Sequence, residues 1–206
     1  MIEFPIKVEN VVAFAVLGVK IVLNKLVVKM ENTEYEPEQF PGLVYRIKDP
    51  RAAALIFSSG KIVCTGAKSI EMAKEAMRKI VKDIEKTGIK MPTKFDISIE
   101  NIFASTQIAV KPKIMLEDIA IQMEDVEYEP EQFPGLVYRM KSPRTAFLLF
   151  GSGKIICTGG RNLKDINIAL NNFKKSLEGI GLKVKPMKPE KKNIEGTDPK
   201  VKPKKK

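Results

Sequence analysis

Each group of residues with chemical potential in this sequence occurs twice. Glu36 and Glu38 recur as Glu129 and Glu131, and SSGK at Ser58 to Lys61 recurs as GSGK at Gly151 to Lys154. Cys64 recurs as Cys157, and Phe40 and Phe57 recur as Phe133 and Phe150. Paired carboxylates hold a metal or move a proton only where further ligands converge on them. The chain has 0 His, which removes the commonest general base and metal ligand. The acidic pairs therefore read as a solvated loop surface that faces another protein. The Gly-Lys segments lack the GxxxxGK[ST] spacing and lead into β-branched residues instead of a helix, so they read as hairpin turns and not as phosphate cradles. Each cysteine lies inside an apolar strand and reads as a buried structural thiol. The sequence thus supports neither an enzyme nor a cofactor or metal site. The phenylalanines are less easily absorbed. Phe40 and Phe133 each stand between acidic, Pro-containing loop residues and a Pro-Gly pair, where they either tuck the loop onto a sheet or stay available to a partner.

The elements that must position these groups are themselves repeated. Tyr35 to Gly66 aligns without gaps on Tyr128 to Gly159, and YEPEQFPGLVYR appears twice, letter for letter. KVENVVA from Lys7 answers SIENIFA from Ser98, which pairs Asn10 with Asn101. A repeat this long organises the whole chain. Residues 1–92 form the first unit and 93–182 the second, with a junction near Met91 to Thr93. In each unit, alternating apolar residues predict a strand near the Asn, then a short helix (Asn24 to Met30 in the first), then strands through GLVYRIK and AAALIFSSGKIVCTG. A long amphipathic helix closes each unit. In the first, Ser69 is the predicted N-cap, Ile70, Ala73, Met77, Ile80, Val81 and Ile84 form the apolar stripe, and Gly88 follows the end. In the second, the helix starts near Asn162 and turns Leu163, Ile166, Ala169, Leu170, Phe173 and Leu177 inward.

Two long helices cannot cover both faces of some ten strands. Yet the strands are apolar on both faces, with Ala54 and Ile56 on one side and Ala53, Leu55 and Phe57 on the other. Ile62 and Cys64 oppose Val63 and Thr65 in the same way. One apolar face is left for a partner, a second copy of the chain included. Charge narrows the choice: of the formal +11, only +4 belongs to residues 1–182, because Lys183 to Lys206 holds ten lysines against Glu190, Glu195 and Asp198. Residues 183–206, rich in Pro and Lys, read as a disordered tail that either solubilises the chain or binds phosphates nonspecifically. Val11 to Val19 is the most apolar run; Lys20 ends it far short of a membrane span, and acidic Glu3 and Glu9 precede it, unlike a secretion signal. An intracellular protein without a membrane partner is expected.

The doubled EPEQFPGL loops and the strands LIFSSGKIVCTG and LLFGSGKIICTG resemble the TATA-box-binding protein family in its compact archaeal form, over residues 5 to 182. The resemblance implies an α+β saddle: a ten-stranded curved antiparallel sheet with DNA on its concave face and helices on its convex face. Members of this family are the standard instance of minor-groove binding by apolar wedges. Carried across residue by residue, Phe40, Phe57, Phe133 and Phe150 would wedge between base steps. Asn10, Asn101, Thr65 and Thr158 would meet the acceptors that A·T and T·A share. Val12, Leu55, Val63, Leu148 and Ile156 would press on the groove floor. Phe103 would do so where the family has a small β-branched residue, as Val12 is here, and Phe14 is also unusual. Arg46, Lys61, Arg139 and Lys154 are candidate phosphate contacts, with Lys68 and Arg161 behind them. Glu129, Glu131 and Gln132 would face transcription factor B, which leads to RNA polymerase. The implied role is that of a general transcription initiation factor, in the cytoplasm and at the nucleoid of an archaeon or in the nucleus of a eukaryote. Two alternatives share the fold or the surface: the DNA-binding domain of a repair glycosylase or nuclease, and an architectural protein that bends DNA without recruiting.

Overall fold

The computed structural model describes residues 1–111 and 115–187. The first unit runs β1 (Lys7–Val16), α1 (Leu23–Lys29), β2 (Thr33–Glu34), β3 (Gly42–Ile47), β4 (Ala52–Phe57), β5 (Lys61–Ala67) and α2 (Ile70–Lys86). The second repeats the order as β6 (Ile97–Lys111), α3 (Leu116–Gln122), β7 (Val126–Glu127), β8 (Gly135–Met140), β9 (Thr145–Phe150), β10 (Lys154–Gly160) and α4 (Leu163–Gly179). A last strand, β11, spans Lys183–Met187.

All strands join one curved antiparallel sheet in the order β2-β3-β4-β5-β1-β6-β10-β9-β8-β7, with β11 added alongside β6. The two units meet where β1 pairs with β6, from Lys7 opposite Ser105 to Ala15 opposite Ile97. Around this centre the sheet is nearly symmetric, since β5 flanks β1 as β10 flanks β6.

Helix starts follow their caps. The Ser69 hydroxyl accepts from the Met72 N–H at 3.0 Å, and the Asn162 side chain accepts from the Asp165 N–H at 2.8 Å, each satisfying a donor that the first helical turn leaves unpaired. α2 buries Ala73, Met77, Ile80, Val81 and Ile84, and α4 buries Ile166, Ala169, Leu170, Phe173 and Leu177. Both lie on the face that receives Ala54, Ile56, Ile62 and Cys64 from the first unit and Phe147, Leu149, Ile155 and Cys157 from the second. Burial alternates along β4, and its odd-numbered residues Ala53, Leu55 and Phe57 stay partly exposed on the other face. Among the described residues no helix is long and apolar enough to cross a membrane.

The disordered tail expected from Lys183 onward does not begin there. Lys183–Met187 is a strand whose residues pair with β6 from Lys111 to Gln107. Val184 buries its side chain and β6 supplies the hydrogen bonds, so tertiary pairing overrides a Lys- and Pro-rich composition. The remainder of the expected tail, 188–206, lies outside the described residues.

Candidate nucleic-acid interface

The sheet face opposite the helices collects the predicted residues in two matching sets. Cross-strand pairing aligns Val44, Leu55, Val63 and Phe14 in one row of the first unit. The second unit aligns Val137, Leu148, Ile156 and Ser105 in the corresponding row. Residues directly opposite one another in a sheet present their side chains on the same face. Val44 and Val137 therefore belong to the apolar floor, although the sequence reading passed over them. The alternation in GLVYRI and GLVYRM, Leu inward and Val outward, was the available signal. Near the centre, Val12 pairs with Asn101 and Phe103 with Asn10, and Phe103 keeps 38% of its surface exposed.

The phenylalanines sit at the two ends of the face. Glu36 to Phe40 forms a single turn closed by the Phe40 N–H to the Glu36 carbonyl at 2.9 Å, and Phe133 repeats this bond to Glu129 at 2.9 Å. Each turn lays its ring edge-on to the partner from the neighbouring strand: the Phe40 and Phe57 centroids are 5.9 Å apart, and those of Phe133 and Phe150 5.8 Å. Gly42 and Gly135 make this possible. A Cβ at Gly42 would lie 2.6 Å from a Phe40 ring carbon, and one at Gly135 2.7 Å from Phe133, so the rings rest on bare backbone. Each ring anchors its loop and still leaves 39% of its surface exposed.

The asparagines are held in one orientation. Asn10 Oδ1 accepts from the Gly66 N–H at 2.7 Å while its Nδ2 donates to Thr65 Oγ1 at 3.0 Å. Asn101 repeats both bonds, with Gly159 at 2.8 Å and Thr158 at 3.0 Å. A backbone N–H only donates, so it fixes which amide atom is the oxygen. Each Nδ2 makes one such bond and has a second hydrogen, while the hydroxyls of Thr65 and Thr158 also lie 3.2 Å from the Oδ1 of Asn10 and Asn101, to which they can donate. Gly66 and Gly159 reach this arrangement at φ values of 95° and 96°, where a residue with a Cβ is strained.

Charges on this face are arranged around the floor. Arg46 lies opposite Ala53, whose other neighbour is Thr65, and pairs loosely with Glu34 at 3.4 Å; Arg139 does the same with Glu127 at 3.3 Å. Both arginine pairs are well exposed, and such pairs are weak and readily exchanged for a phosphate. Lys61 and Lys154 begin β5 and β10, exposed, two residues before the floor residues Val63 and Ile156. Two acids also approach. Glu9 accepts from Ser105 Oγ at 2.6 Å, which, against a smaller opposing effect of burial and with help from Lys7, holds its carboxyl below the usual range. Its counterpart Glu100 is paired with Arg161 at 3.0 Å, which ties up one of the secondary phosphate candidates.

The remaining motifs fall away from this surface or serve it structurally. Gly60 and Gly153 close hairpins by donating to the Phe57 and Phe150 carbonyls at 2.9 and 2.8 Å, and strands follow both. Burial pushes the Cys64 thiol up to about 11 and that of Cys157 to about 12, which keeps both protonated and inert. Among the described residues no cluster of three or more metal-ligating side chains forms. Glu129, Glu131 and Gln132 are exposed on the second loop, with Gln132 Nε2 donating to the Glu129 carboxylate.

A family model described as transcription factor TFIID (or TATA-binding protein, TBP) matches residues 5–87 and 96–180, the two units in turn. A TATA-box-binding protein of Archaeoglobus fulgidus is 46% identical over 182 residues, covering 88% of this chain and 100% of the relative. One of Methanothermobacter thermautotrophicus is 47% identical over 182 residues, with 88% and 99% covered. The solved structure of Methanococcus jannaschii TBP superposes with a TM-score of 0.78 at 45% identity, over 84% of this chain and 98% of that one. With both repeats matched and the sheet, loops and helices in the corresponding order, the chain belongs to the TATA-box-binding protein family.

Proposed function

We propose that the protein is a general transcription initiation factor that grips an A/T-rich promoter element through the DNA minor groove and bends it. The observation that carries this reading is the helix-free sheet face, on which two sets of apolar floor, oriented asparagine and paired phenylalanine are related by near-twofold symmetry. Phe40 with Phe57 and Phe133 with Phe150 enter base steps at the two ends of the site. Unstacking costs a few kcal/mol per step and bending up to about 10. Burying each ring contributes roughly 1.5–3 kcal/mol. Four rings thus offset most of one deformation, and Val12, Val44, Leu55, Val63, Phe103, Val137, Leu148 and Ile156 supply the rest with Arg46, Lys61, Arg139 and Lys154 on the phosphates. The free Nδ2 hydrogens of Asn10 and Asn101 and the hydroxyls of Thr65 and Thr158 donate to A·T acceptors, whereas a guanine amino group finds no acceptor and no room.

Binding of a TATA duplex and a G/C duplex of equal length at one salt concentration tests the reading. A large preference for the TATA duplex is expected, and equal affinities overturn it in favour of an architectural protein. Replacing either phenylalanine pair by alanine should weaken TATA binding by on the order of 3 kcal/mol, about a hundredfold, and reduce bending seen by energy transfer between end labels. Phe40 and Phe133 are 39% exposed and Phe57 and Phe150 partly exposed, so urea unfolding of each variant separates lost binding from lost folding.

Recruitment forms the second half of the proposal. Exposed Glu129, Glu131 and Gln132 dock transcription factor B, which brings RNA polymerase to the promoter, at the nucleoid in the cytoplasm of an archaeal cell. Glu129→Lys with Glu131→Lys should abolish the ternary complex with transcription factor B in a gel-shift experiment while DNA binding persists; an unchanged complex sinks this assignment. Without DNA, the same apolar face pairs two copies of the chain, a dimer that sedimentation should show dissociating on addition of the TATA duplex.

A further inference from the structure

Strand β11 changes the charge of the helix-free face at one place only, beside Lys154. Gln107 lies opposite both Lys154 of β10 and Met187 of β11, so these three side chains share a row. One pleat further along, Lys185 lies opposite Ala109, and one beyond that Lys183 lies opposite Lys111. Pro186 opposite Ile108 and Val184 opposite Val110 alternate with them; Val184 and Ile108 are buried toward the helices. The alternation therefore turns Lys183, Lys185 and Lys111 to the same side as Lys154 and the floor. All four lysines are exposed, and among the described residues none of them joins a salt bridge. The β6 residues facing β11 on this side, Lys111, Ala109 and Gln107, bring no carboxylate.

The arrangement has no twin. The segment after α2 that corresponds to β11, residues 87–96, forms no strand, although Lys90 and Lys94 lie within it. Like charges gathered on a rigid strand repel each other and gain nothing from one another within the free chain. They fit a ligand with negative charges at regular intervals, and lysines alternating on a strand stand about 7 Å apart, each able to reach a separate phosphate.

We infer that Lys183 and Lys185, with Lys111 and Lys154, form a phosphate-binding strip that holds the DNA backbone along the far end of β6. The inference rests on the minor-groove reading for the placement of the DNA, and it makes the hold on the second unit stronger and more salt-sensitive than that on the first.

The test compares the salt dependence of TATA-duplex binding for the full chain, for Lys183→Ala with Lys185→Ala, and for a control, Arg78→Ala with Lys82→Ala, which removes the same charge from α2 on the helix side. Each phosphate contact contributes about 0.9 to the slope of log affinity against log salt. The β11 variant should lose about 1.8 of slope and keep the preference for TATA over G/C, while the control keeps the wild-type slope. An unchanged slope in the β11 variant, or an equal loss in the control, overturns the strip. If the unaltered chain shows no A/T preference, the minor-groove reading fails while the slopes still judge the strip; a chain that binds neither duplex sinks both.

Discussion

The two units present almost the same surface to a partner over interiors built differently. In the second, Tyr138, Phe147 and Phe173 stack with centroids 4.9 to 6.1 Å apart and planes within 19° of parallel. The corresponding positions of the first hold Tyr45, Ala54 and Ile80, and there the tyrosine hydroxyl donates to Asp83 of α2 at 2.9 Å. A second exchange lies where β5 and β10 end. The first unit has Ala67 and Ala73 where the second has Gly160 and Ile166, and a Cβ on Gly160 would lie 2.5 Å from Ile166 Cγ1. Gly160 leaves room on the strand for the larger Ile166 on the helix, and at both exchanges the second unit holds more side-chain volume than the first. A core accepts any set of apolar groups that fills the same space in relaxed rotamers. On the helix-free face the units differ less, at Val12 against Phe103, Phe14 against Ser105 and Val63 against Ile156, and the twelve-residue stretch from Tyr35 to Arg46 recurs unchanged from Tyr128 to Arg139.

Breaking the aromatic stack should give the largest effect. Phe147→Ala recreates Ala54 without the surrounding first-unit residues, and should cost about 3–5 kcal/mol in urea unfolding. A cost near zero would mean that the stack contributes little to packing. The exchange where β5 and β10 end sharpens the comparison further. Gly160→Ala alone should cost about 1–3 kcal/mol by overpacking, and Ile166→Ala alone about 2–5 by leaving a cavity. Together they recreate the first-unit pair, so a double-mutant cycle should show a total well below the sum. Strict additivity would sink the idea that Gly160 makes room for Ile166.

The smallest effect belongs to the polar link of the first unit. Tyr45→Phe should cost about 0.5–1.5 kcal/mol at neutral pH. Burial opposes ionisation of Asp83, but bonds from Lys86 and Tyr45 outweigh it and hold the carboxyl below its usual range. Its contribution is therefore present above the ordinary carboxylate pKa and is lost as pH falls through the depressed one. Burial first, then Asp83, pushes the Tyr45 hydroxyl to about 12, so its contribution is complete below the ordinary tyrosine value near 10 and fades as pH rises toward about 12. Tyr45→Phe should flatten the stability profile at both extremes, and a profile unchanged at both would remove the link from the stability of the first unit.

Much of this was legible in the chain. The alternation of Ala54 and Ile56 against Leu55 and Phe57 announced a sheet apolar on both faces, and Ser69 announced its helix, because both signals are local. Residues acting across the fold were harder to read. The orientation of Asn10 depends on the N–H of Gly66, and Tyr45 meets Asp83 only because β3 and α2 pack together. β11 was misread because Pro and Lys dominated its composition, while the period-two alternation of Lys183, Val184 and Lys185 is intelligible only once the long end of β6 is there to receive it. Val44 and Val137 were missed for a simpler reason: their strands were recognised, but the outward side of β3 and β8 was not followed to the floor.

The start of the chain rests on the wrong half. Ile2 and Asn171 exchange two hydrogen bonds, Ile2 N–H to Oδ1 at 2.9 Å and Nδ2 to the Ile2 carbonyl at 2.7 Å, and the Phe4 N–H reaches Asn167 at 3.1 Å. During synthesis, Ile2 must wait for Asn171 of α4, 169 residues further along the chain. At 5–20 residues per second that delay is on the order of ten seconds or more. Until then the first unit lacks β6 along one edge of β1, and that edge offers unpaired backbone groups to other nascent chains. Arrival of β6 and then α4 closes that edge and fastens residues 2–4, so the first unit's protection from edge pairing is supplied by the second.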